Sequence, residues 1–462
     1  MSNRALAFTA ERLLQNLKSF PVVNSYLVGF SGGADSTALL HALSVINPQL
    51  ATPVSAVHIN HGIHPDADLW QLQCENFCLQ YDIDLVCLKI DLKNCSGKGL
   101  EAEARHLRYE TISSLLGRAD CLLTAHHADD QAETLLLNLM RGSGVDGLSA
   151  MPESRPLGPG FLQRPLLRFK NSALRDYLRE NNIEWTEDPS NLYLNHDRNF
   201  LRHEVIPLLE QRWPEVSQRL LLTREAMTDT RRLLEKLADE YLEPNLIHPF
   251  VLRITPQCHA NRELFRLVIR RWIKHSGSTG IPAYKLGSFC DQVQQAGSDH
   301  KVSVRWDDRL LRWYKGQLWL QTAIEILPCA TVKWPKGQVE VDLGRDAGQL
   351  VLKTRSLPEA GTSVSPDGAF SVSGRINMEE TVISLGGHHK SLKNLFQAAD
   401  IPPWLRDAIP LCKLDGELVA IGDWCFNERF SSWLSENNIS FSWHPQHPLL
   451  QFILKQQHGV KY

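Results

Sequence analysis

No stretch of this 462-residue chain carries the Gly-x-x-x-x-Gly-Lys-Ser/Thr pattern, and none carries Cys-x-x-Cys. The first absence disfavours a kinase-like or motor-like phosphate loop. The second removes the paired thiolates on which persulfide and iron–sulfur chemistry usually rests. Ten cysteines remain, scattered; Cys74 and Cys78 have the spacing of one helix face and read as core thiols. No run of about 18 consecutive apolar residues occurs, and Met1–Leu14 alternates charged with apolar side chains instead of building a signal-peptide core. A cytoplasmic protein with reduced cysteines is therefore expected. The chain also lacks a basic excess, its formal net charge being −3, so any nucleic-acid surface must be a local stripe.

What is present is organised around Ser25–His41, an apolar strand that runs into Gly32-Gly33 and then a helix. Two glycines let successive backbone N–H groups face an anion, and the helix start adds unpaired donors and the positive end of its dipole. The hexapeptide Ser31-Gly32-Gly33-Ala34-Asp35-Ser36 resembles the loop of the PP-loop ATP pyrophosphatases, which hold the β and γ phosphates and release pyrophosphate. Substrate adenylation is what that resemblance implies.

Around this loop the spacing predicts strands at Tyr26–Phe30, Val54–Asn60, Asp84–Ile90, Cys121–Ala125 and Phe161–Leu167. Helices are expected near 36–46, 66–81, 101–117, Asp129–Met140 and Ser172–Asn181. Such alternation argues for a doubly wound parallel α/β sheet, whose ligands sit beyond the carboxyl ends of the strands. Three stretches lie at such places. Val57–Ile63 carries His58 and His61, each as readily a satisfied structural residue as a nucleotide contact. Glu101 and Arg105 stand at i,i+4, a surface ion pair on its own terms. Thr124–Thr134 packs His126, His127, Asp129, Asp130 and Glu133 into one strand-to-helix junction. Adjacent histidines diverge, so zinc is not expected there; the carboxylates at i,i+3 and i,i+4 share a helix face. Gly142–Gly147 matches Gly-x-Gly-x-x-Gly, but a helix precedes it where the dinucleotide fingerprint needs a strand, so it reads as a loop.

Further on, Arg198 and Arg202 lie one helical turn apart and suit two neighbouring phosphates as readily as a structural pair with Asp188 or Glu204. Residues 1–212 form the expected catalytic domain. A mostly helical domain, 213–326, comes next, with Arg262, Arg266, Arg270, Arg271 and Lys274 along one helix as a candidate RNA-backbone stripe. Its tryptophan-rich 302–322 reads as a hairpin packed on those helices. Pro328 and Lys333–Gly337 suggest a linker to a small α+β domain, 327–462, which carries Lys390 and Lys393.

Together the PP-loop, Val57–Gly62, Glu101–Arg105, His126–Thr134, Arg141–Leu148, Ser190-Asn191 with Arg198-Asn199, and Lys393–Pro410 resemble the tRNA(Ile)-lysidine synthetase family in its long three-domain bacterial form. The resemblance implies a Rossmann-like catalytic fold and an ATP-dependent ligase. Such enzymes join free L-lysine through its side-chain amine to the wobble cytidine of an isoleucine tRNA with anticodon CAU, giving AMP and pyrophosphate. It implies further that Ser31, Gly32, Gly33, Ala34, Asp35 and Ser36 bind ATP and that Asp35 places Mg2+. Arg105, His127, Asp130 and Glu133 then join Asp35 as catalytic residues: Asp130 and Glu133 recruit the lysine ammonium, and one of them or His127 takes its proton. Arg198, Arg202, Arg262, Arg266, Arg270, Lys390 and Lys393 are the tRNA-binding candidates. Relatives are commonly dimeric, which makes a homodimer the expectation by analogy. The competing enzyme is a tRNA-thiolating PP-loop protein, against which the missing Cys-x-x-Cys counts. From another class, an ATP-gated RNA-binding module without catalysis would not need Asp35, Asp130 and Glu133 together.

Overall fold

The computed structural model describes residues 7–62, 64–90, 100–187, 196–295, 302–354, 366, 368–375, 382–385 and 387–458, with side chains omitted over 100–106. The chain divides into two compact units, Met1–Leu234 and Glu235–Tyr462.

In the first unit the elements run α1 (Ala10–Leu17), β1 (Tyr26–Gly29), α2 (Ala34–Ile46), β2 (Val54–Asn60), α3 (Ala67–Gln80), β3 (Asp84–Lys89), α4 (Leu100–Ser113), β4 (Cys121–Leu123), α5 (Ala128–Met140), α6 (Val145–Leu148), β5 (Ser154–Leu157), β6 (Gly160–Gln163) and α7 (Asn171–Glu180). The sheet order is β3-β2-β1-β4-β6-β5, parallel except for the edge strand β5. Alternation along the strands sorts side chains to two faces. Tyr26, Val28, Ala56, Cys121 and Leu123 join the core under α1, α2 and α7, whereas Leu27, Val57, Leu122 and Leu162 meet Ile112 of α4 on the other. A doubly wound α/β sheet results, as the sequence predicts. Helix α2 is apolar on nearly every side, so it is enclosed rather than half-exposed: Ala38, Leu39, Leu40, Ala42 and Leu43 are wholly buried. Truncating Leu40 to alanine there costs on the order of 2–5 kcal/mol.

Two local expectations change. The predicted strand Phe161–Leu167 stops at Gln163, because Pro165 has no N–H for a ladder and Leu166 turns into the helical side of the core. Strand β5, not foreseen, pairs Pro156 with Phe161 at the sheet edge, where a proline is tolerated. Gly158 at φ +54° supplies the positive angle that the first residue of its two-residue hairpin needs.

After α7 come the helical stretches Asp197–Phe200 and Ile206–Arg212, joined by a π turn over Leu201–Val205. Pro207 lacks the N–H that would bond the His203 carbonyl, and its ring crowds that oxygen, which accounts for the widened turn.

The second unit opens with a five-stranded antiparallel sheet of Leu246–His248, Val251–Arg253, Gln317–Thr322, Arg309–Tyr314 and Val302–Trp306, in that order, packed on the helices Arg262–His275 and Ala283–Gln295. The hairpin expected over 302–322 is thus part of a wider sheet, and Trp306, Trp313 and Trp319 are core residues. Lys333–Gly337 is not a linker: Val332–Trp334 pairs with Phe370–Ser373, and Trp334 is buried with its ring 5.1 Å from that of Phe370. A second five-stranded sheet, a three-stranded one and the two-stranded pair Val382–Leu385 with His388–Ser391 follow, with the helices Leu392–Ala398, Glu428–Glu436 and Pro448–Gln457.

Candidate active site

The PP-loop leaves β1 and enters α2. Gly32 has φ +81°, and a Cβ there would stand 3.2 Å from the sulfur of Cys74. Glycine is required on both counts. Burial pushes the Cys74 thiol up to about 12, so it stays an apolar floor for the loop, as its helical spacing predicts. The Ser36 hydroxyl lies 3.1 Å from the Ser31 hydroxyl and donates to the Gly33 carbonyl at 3.1 Å, while Thr37 Oγ1 donates to the Gly32 carbonyl at 3.2 Å. Gly33, the residue before α2, offers no side chain to cap it, so the N–H groups of Ala34, Asp35 and Ser36 face outward from an uncapped helix start. The loop is held from outside by Thr186, whose N–H donates to the Gly32 carbonyl at 2.9 Å.

At the end of β4 the chain turns into α5. The His127 N–H donates to Asp130 Oδ2 at 2.9 Å, so the acid caps its own helix. The buried His127 imidazole sits 3.5 Å from each of three carboxylates, Asp35, Asp129 and Asp130. Burial opposes its charge, but the field of Asp130 and the interactions with Asp129 and Asp35 prevail and raise its pKa to about 10. That shift favours the imidazolium and so weighs against the base role considered for it from the sequence, although the donor-only Asn171 amide nitrogen also lies 3.5 Å from Nε2. Burial pushes Asp130 up, but His127, Arg198 and His126 more than offset it and hold the carboxyl below its ordinary range. Asp129 is likewise lowered, its desolvation outweighed by His127 and the Asn171 N–H.

Arg198 and Arg202, at i,i+4, straddle Asp130 and Glu133, at i,i+3. Arg198 donates from Nε to Glu133 at 2.6 Å and from Nη2 to Asp130 at 2.7 Å. Arg202 donates from Nε to Glu133 at 2.6 Å and from Nη2 to Asp130 at 3.0 Å. Both guanidiniums thus engage active-site carboxylates rather than Glu204, while Asp188, the other partner considered, lies outside the described residues. Glu133 has no exposed surface, whereas the Arg198 and Arg202 side chains keep 30% and 36% of theirs.

Asp35, His127, Asp130 and Glu133, chosen from the sequence, thus converge. Arg105 and Glu101 lie outside the described side chains, and Ser190-Asn191 outside the described residues. Of the histidines after β2, His58 bonds the Phe30 carbonyl through Nδ1 at 2.9 Å, and His61 Nε2 accepts from Arg108 at 2.9 Å. Burial first, then Arg108 and His58, lower the His61 pKa to about 4. Sequence reasoning did not assign Asn171, which donates to Asp35 Oδ1 at 2.6 Å, nor Thr186. An asparagine ahead of a predicted helix reads as a cap; here Lys170 holds that position and Asn171, the first helical residue, accepts from Arg175 one turn on while its NH2 reaches Asp35.

In the second unit, the basic helix Arg262–His275 is partly neutralised. Arg262 pairs with Asp291 at 2.5 Å, Arg271 with Asp239 at 2.6 Å and Lys274 with Glu235 at 2.8 Å. Arg270 is exposed, Arg266 half-buried; Lys390, within the strand His388–Ser391, and Lys393, in the helix Leu392–Ala398 that follows, are exposed.

Among the described residues no set of three or more His, Cys, Asp or Glu forms a metal cage. In the first-unit cluster Asp35, Asp129, Asp130 and Glu133 nevertheless lie around His127, Arg198 and Arg202, and of these acids Asp35 and Asp129 keep open surface, 34% and 35% exposed. That suits Mg2+, which keeps waters and takes one or two carboxylates beside substrate phosphates.

Comparison with known proteins agrees with this geometry. Residues 6–209 match the family model of the PP-loop domain, 259–319 the TilS substrate binding domain and 370–443 the TilS substrate C-terminal domain. The tRNA(Ile)-lysidine synthase of Alkalilimnicola ehrlichii is 36% identical over 91% of this chain and 94% of its own length. That of Methylococcus capsulatus is also 36% identical, over 91% and 97%. Among solved structures, the U34-tRNA thiolase NcsA from Methanococcus maripaludis aligns at TM-score 0.40 and 16% identity, over 48% of this chain and 78% of that one. With these relatives aligned along almost their whole length, the chain belongs to the tRNA(Ile)-lysidine synthase family.

Proposed function

We infer that this protein forms lysidine: it activates the wobble cytidine of a CAU-anticodon isoleucine tRNA with ATP and joins L-lysine to it through the side-chain amine. The observation that carries the reading is the placement of an uncapped, glycine-turned helix start beside Asp35 and a cluster in which Asp35, Asp129, Asp130 and Glu133 surround His127, Arg198 and Arg202. The loop N–H groups hold the β and γ phosphates while the cytidine carbonyl oxygen attacks the α phosphorus. Mg2+ held by Asp35 would stabilise charge on the departing pyrophosphate.

Lysine brings both charges to the site, and the network offers both. Its carboxylate is drawn to the open faces of Arg198 and Arg202, and its ammonium to Asp129, an acid of the cluster with open surface; Asp130 and Glu133, expected to recruit it, are buried and engaged by those arginines. Its amine has an ordinary pKa of about 10.4, so roughly 1 molecule in 1000 is nucleophilic at neutral pH and the site must remove a proton. One of the cluster's carboxylates or His127 is the acceptor. Arg266, Arg270, Lys390 and Lys393 are the proposed contacts to the tRNA backbone, and a homodimer is the proposed assembly. The tRNA-thiolating alternative is not favoured: the relatives are named lysidine synthases, and Cys74, Cys78 and Cys121 are separately buried thiols with pKa values pushed up to about 12.

The test is tRNA-dependent pyrophosphate release by the parent and by Asp35→Ala. The variant should lose on the order of 100- to 1000-fold in rate while tRNA affinity is unchanged. Equal loss of both would remove Asp35 from the chemistry.

A further inference from the structure

We propose that Asn171 is a positioning residue for Asp35, fixing which carboxylate oxygen faces the cation and the triphosphate. Its side-chain NH2 donates to Asp35 Oδ1 at 2.6 Å, and its Oδ1 accepts from Arg175 Nε at 3.1 Å. A carboxylate can only accept and a guanidinium only donate, so the amide has one orientation that satisfies both neighbours. The Asn171 backbone N–H donates to Asp129 Oδ2 at 2.8 Å, which ties the second open carboxylate to the same residue. Arg175 then donates to Glu187 at 3.0 Å, and the adjacent Thr186 N–H bonds the Gly32 carbonyl.

The segment from Asn171 to Glu187 therefore grips the phosphate loop at two points, the carbonyl of Gly32 and the carboxylate of Asp35. With Oδ1 engaged by the amide, Asp35 Oδ2, 3.5 Å from His127 Nε2, is the oxygen left for a metal. A rotating Asp35 would instead spread its charge over orientations, some of them facing away from the phosphates. The amide removes that freedom without adding charge, which a lysine or arginine at the same place would do at the expense of cation binding.

This inference rests on the assignment of Asp35 to the Mg2+–ATP complex, and the experiment separates the two. The binding of α,β-methylene ATP is titrated by calorimetry with and without Mg2+ for the parent, Asn171→Ala, Asn171→Asp and Asp35→Ala, alongside tRNA-dependent pyrophosphate release. For Asn171→Ala the gain in analogue affinity on adding Mg2+ should shrink about tenfold, the loss of one charge-assisted hydrogen bond. The Mg2+ concentration for half-maximal release should rise in step, with lysine KM, tRNA affinity and Tm unchanged. Asn171→Asp puts two carboxylates in contact, so the acid limb of its pH–rate profile should move upward, and that of Asn171→Ala should not. An Asn171→Ala protein with the parent's Mg2+ dependence, beside an inactive Asp35→Ala, overturns the positioning role alone; an active Asp35→Ala overturns the reading on which it rests. Loss of every parameter together with Tm would show Asn171 to be merely structural.

Discussion

Replacing Glu133 by glutamine keeps its shape and removes its charge, and the cost is set by the groups around it. Glu133 has no exposed surface and accepts from Arg198 Nε at 2.6 Å, Arg202 Nε at 2.6 Å and Arg202 Nη2 at 3.2 Å. Glutamine offers one oxygen, so one of the two guanidiniums meets an NH2 group instead of an acceptor. Breaking a fully buried ion pair costs about 3–5 kcal/mol because a charge is left without a partner. Here both arginine side chains are roughly one-third exposed and Asp130 still accepts from each, so water and Asp130 recover part of it. A loss of about 2–3 kcal/mol is expected. For a unit of this size each kcal/mol moves Tm by about 2–4 °C, so the transition of the first unit should fall by roughly 5–10 °C in calorimetry. Pairing the change with Arg202→Met should give a double variant less destabilised than the sum, the two residues sharing one interaction. A Tm within about 1 °C of the parent, or strict additivity, would refute the network as the buttress of α5.

Gly32→Ala puts a Cβ into the left-handed region beside Cys74 and should cost about 1–2 kcal/mol, with ATP KM raised in pyrophosphate-release kinetics; unchanged KM would show that the loop tolerates a side chain. Stability should peak at about pH 6.5, the unfolded pKa of both histidines, and fall on both sides in a Tm–pH series. His127, raised to about 10, contributes fully below its unfolded pKa of about 6.5 and loses that contribution as pH rises through 10. His61, lowered to about 4, takes up a proton more readily when unfolded and so removes stability as pH falls from about 6.5 towards 4. A His127 resonance titrating near 6.5 would contradict this. Arg270→Ala should reduce the salt slope of tRNA affinity by about 1, whereas Arg271→Ala, which breaks the pair with Asp239, should lower Tm instead; the reverse result would move the RNA contact.

Local chemistry is readable in the chain itself. The parallel strands announce themselves by apolar runs before each helix, and the PP-loop by two glycines at a strand end, because both depend on residues close in sequence. Strand β5 is hidden by Pro156, and the apolar Leu166-Leu167 falsely lengthens β6. The pairing of Asp130 and Glu133 with Arg198 and Arg202 spans 65 to 72 residues, so helical spacing shows that each pair shares a face but not that the faces meet. The arginine stripe misleads for the same reason: acids that neutralise Arg262, Arg271 and Lys274 lie on other elements. Asn171 escapes notice because an asparagine just ahead of a predicted helix is most often a cap, whereas Lys170 holds that position and the partner of Asn171, Asp35, is 136 residues away in sequence.

The central claim is tested most directly by mixing the purified protein with Mg-ATP, labelled L-lysine and an isoleucine tRNA transcript bearing CAU, beside an initiator methionine tRNA with the same anticodon. Label in the isoleucine tRNA alone is the predicted result. Pyrophosphate release without label in either RNA would contradict lysidine formation and send the search to another nucleophile, sulfur first.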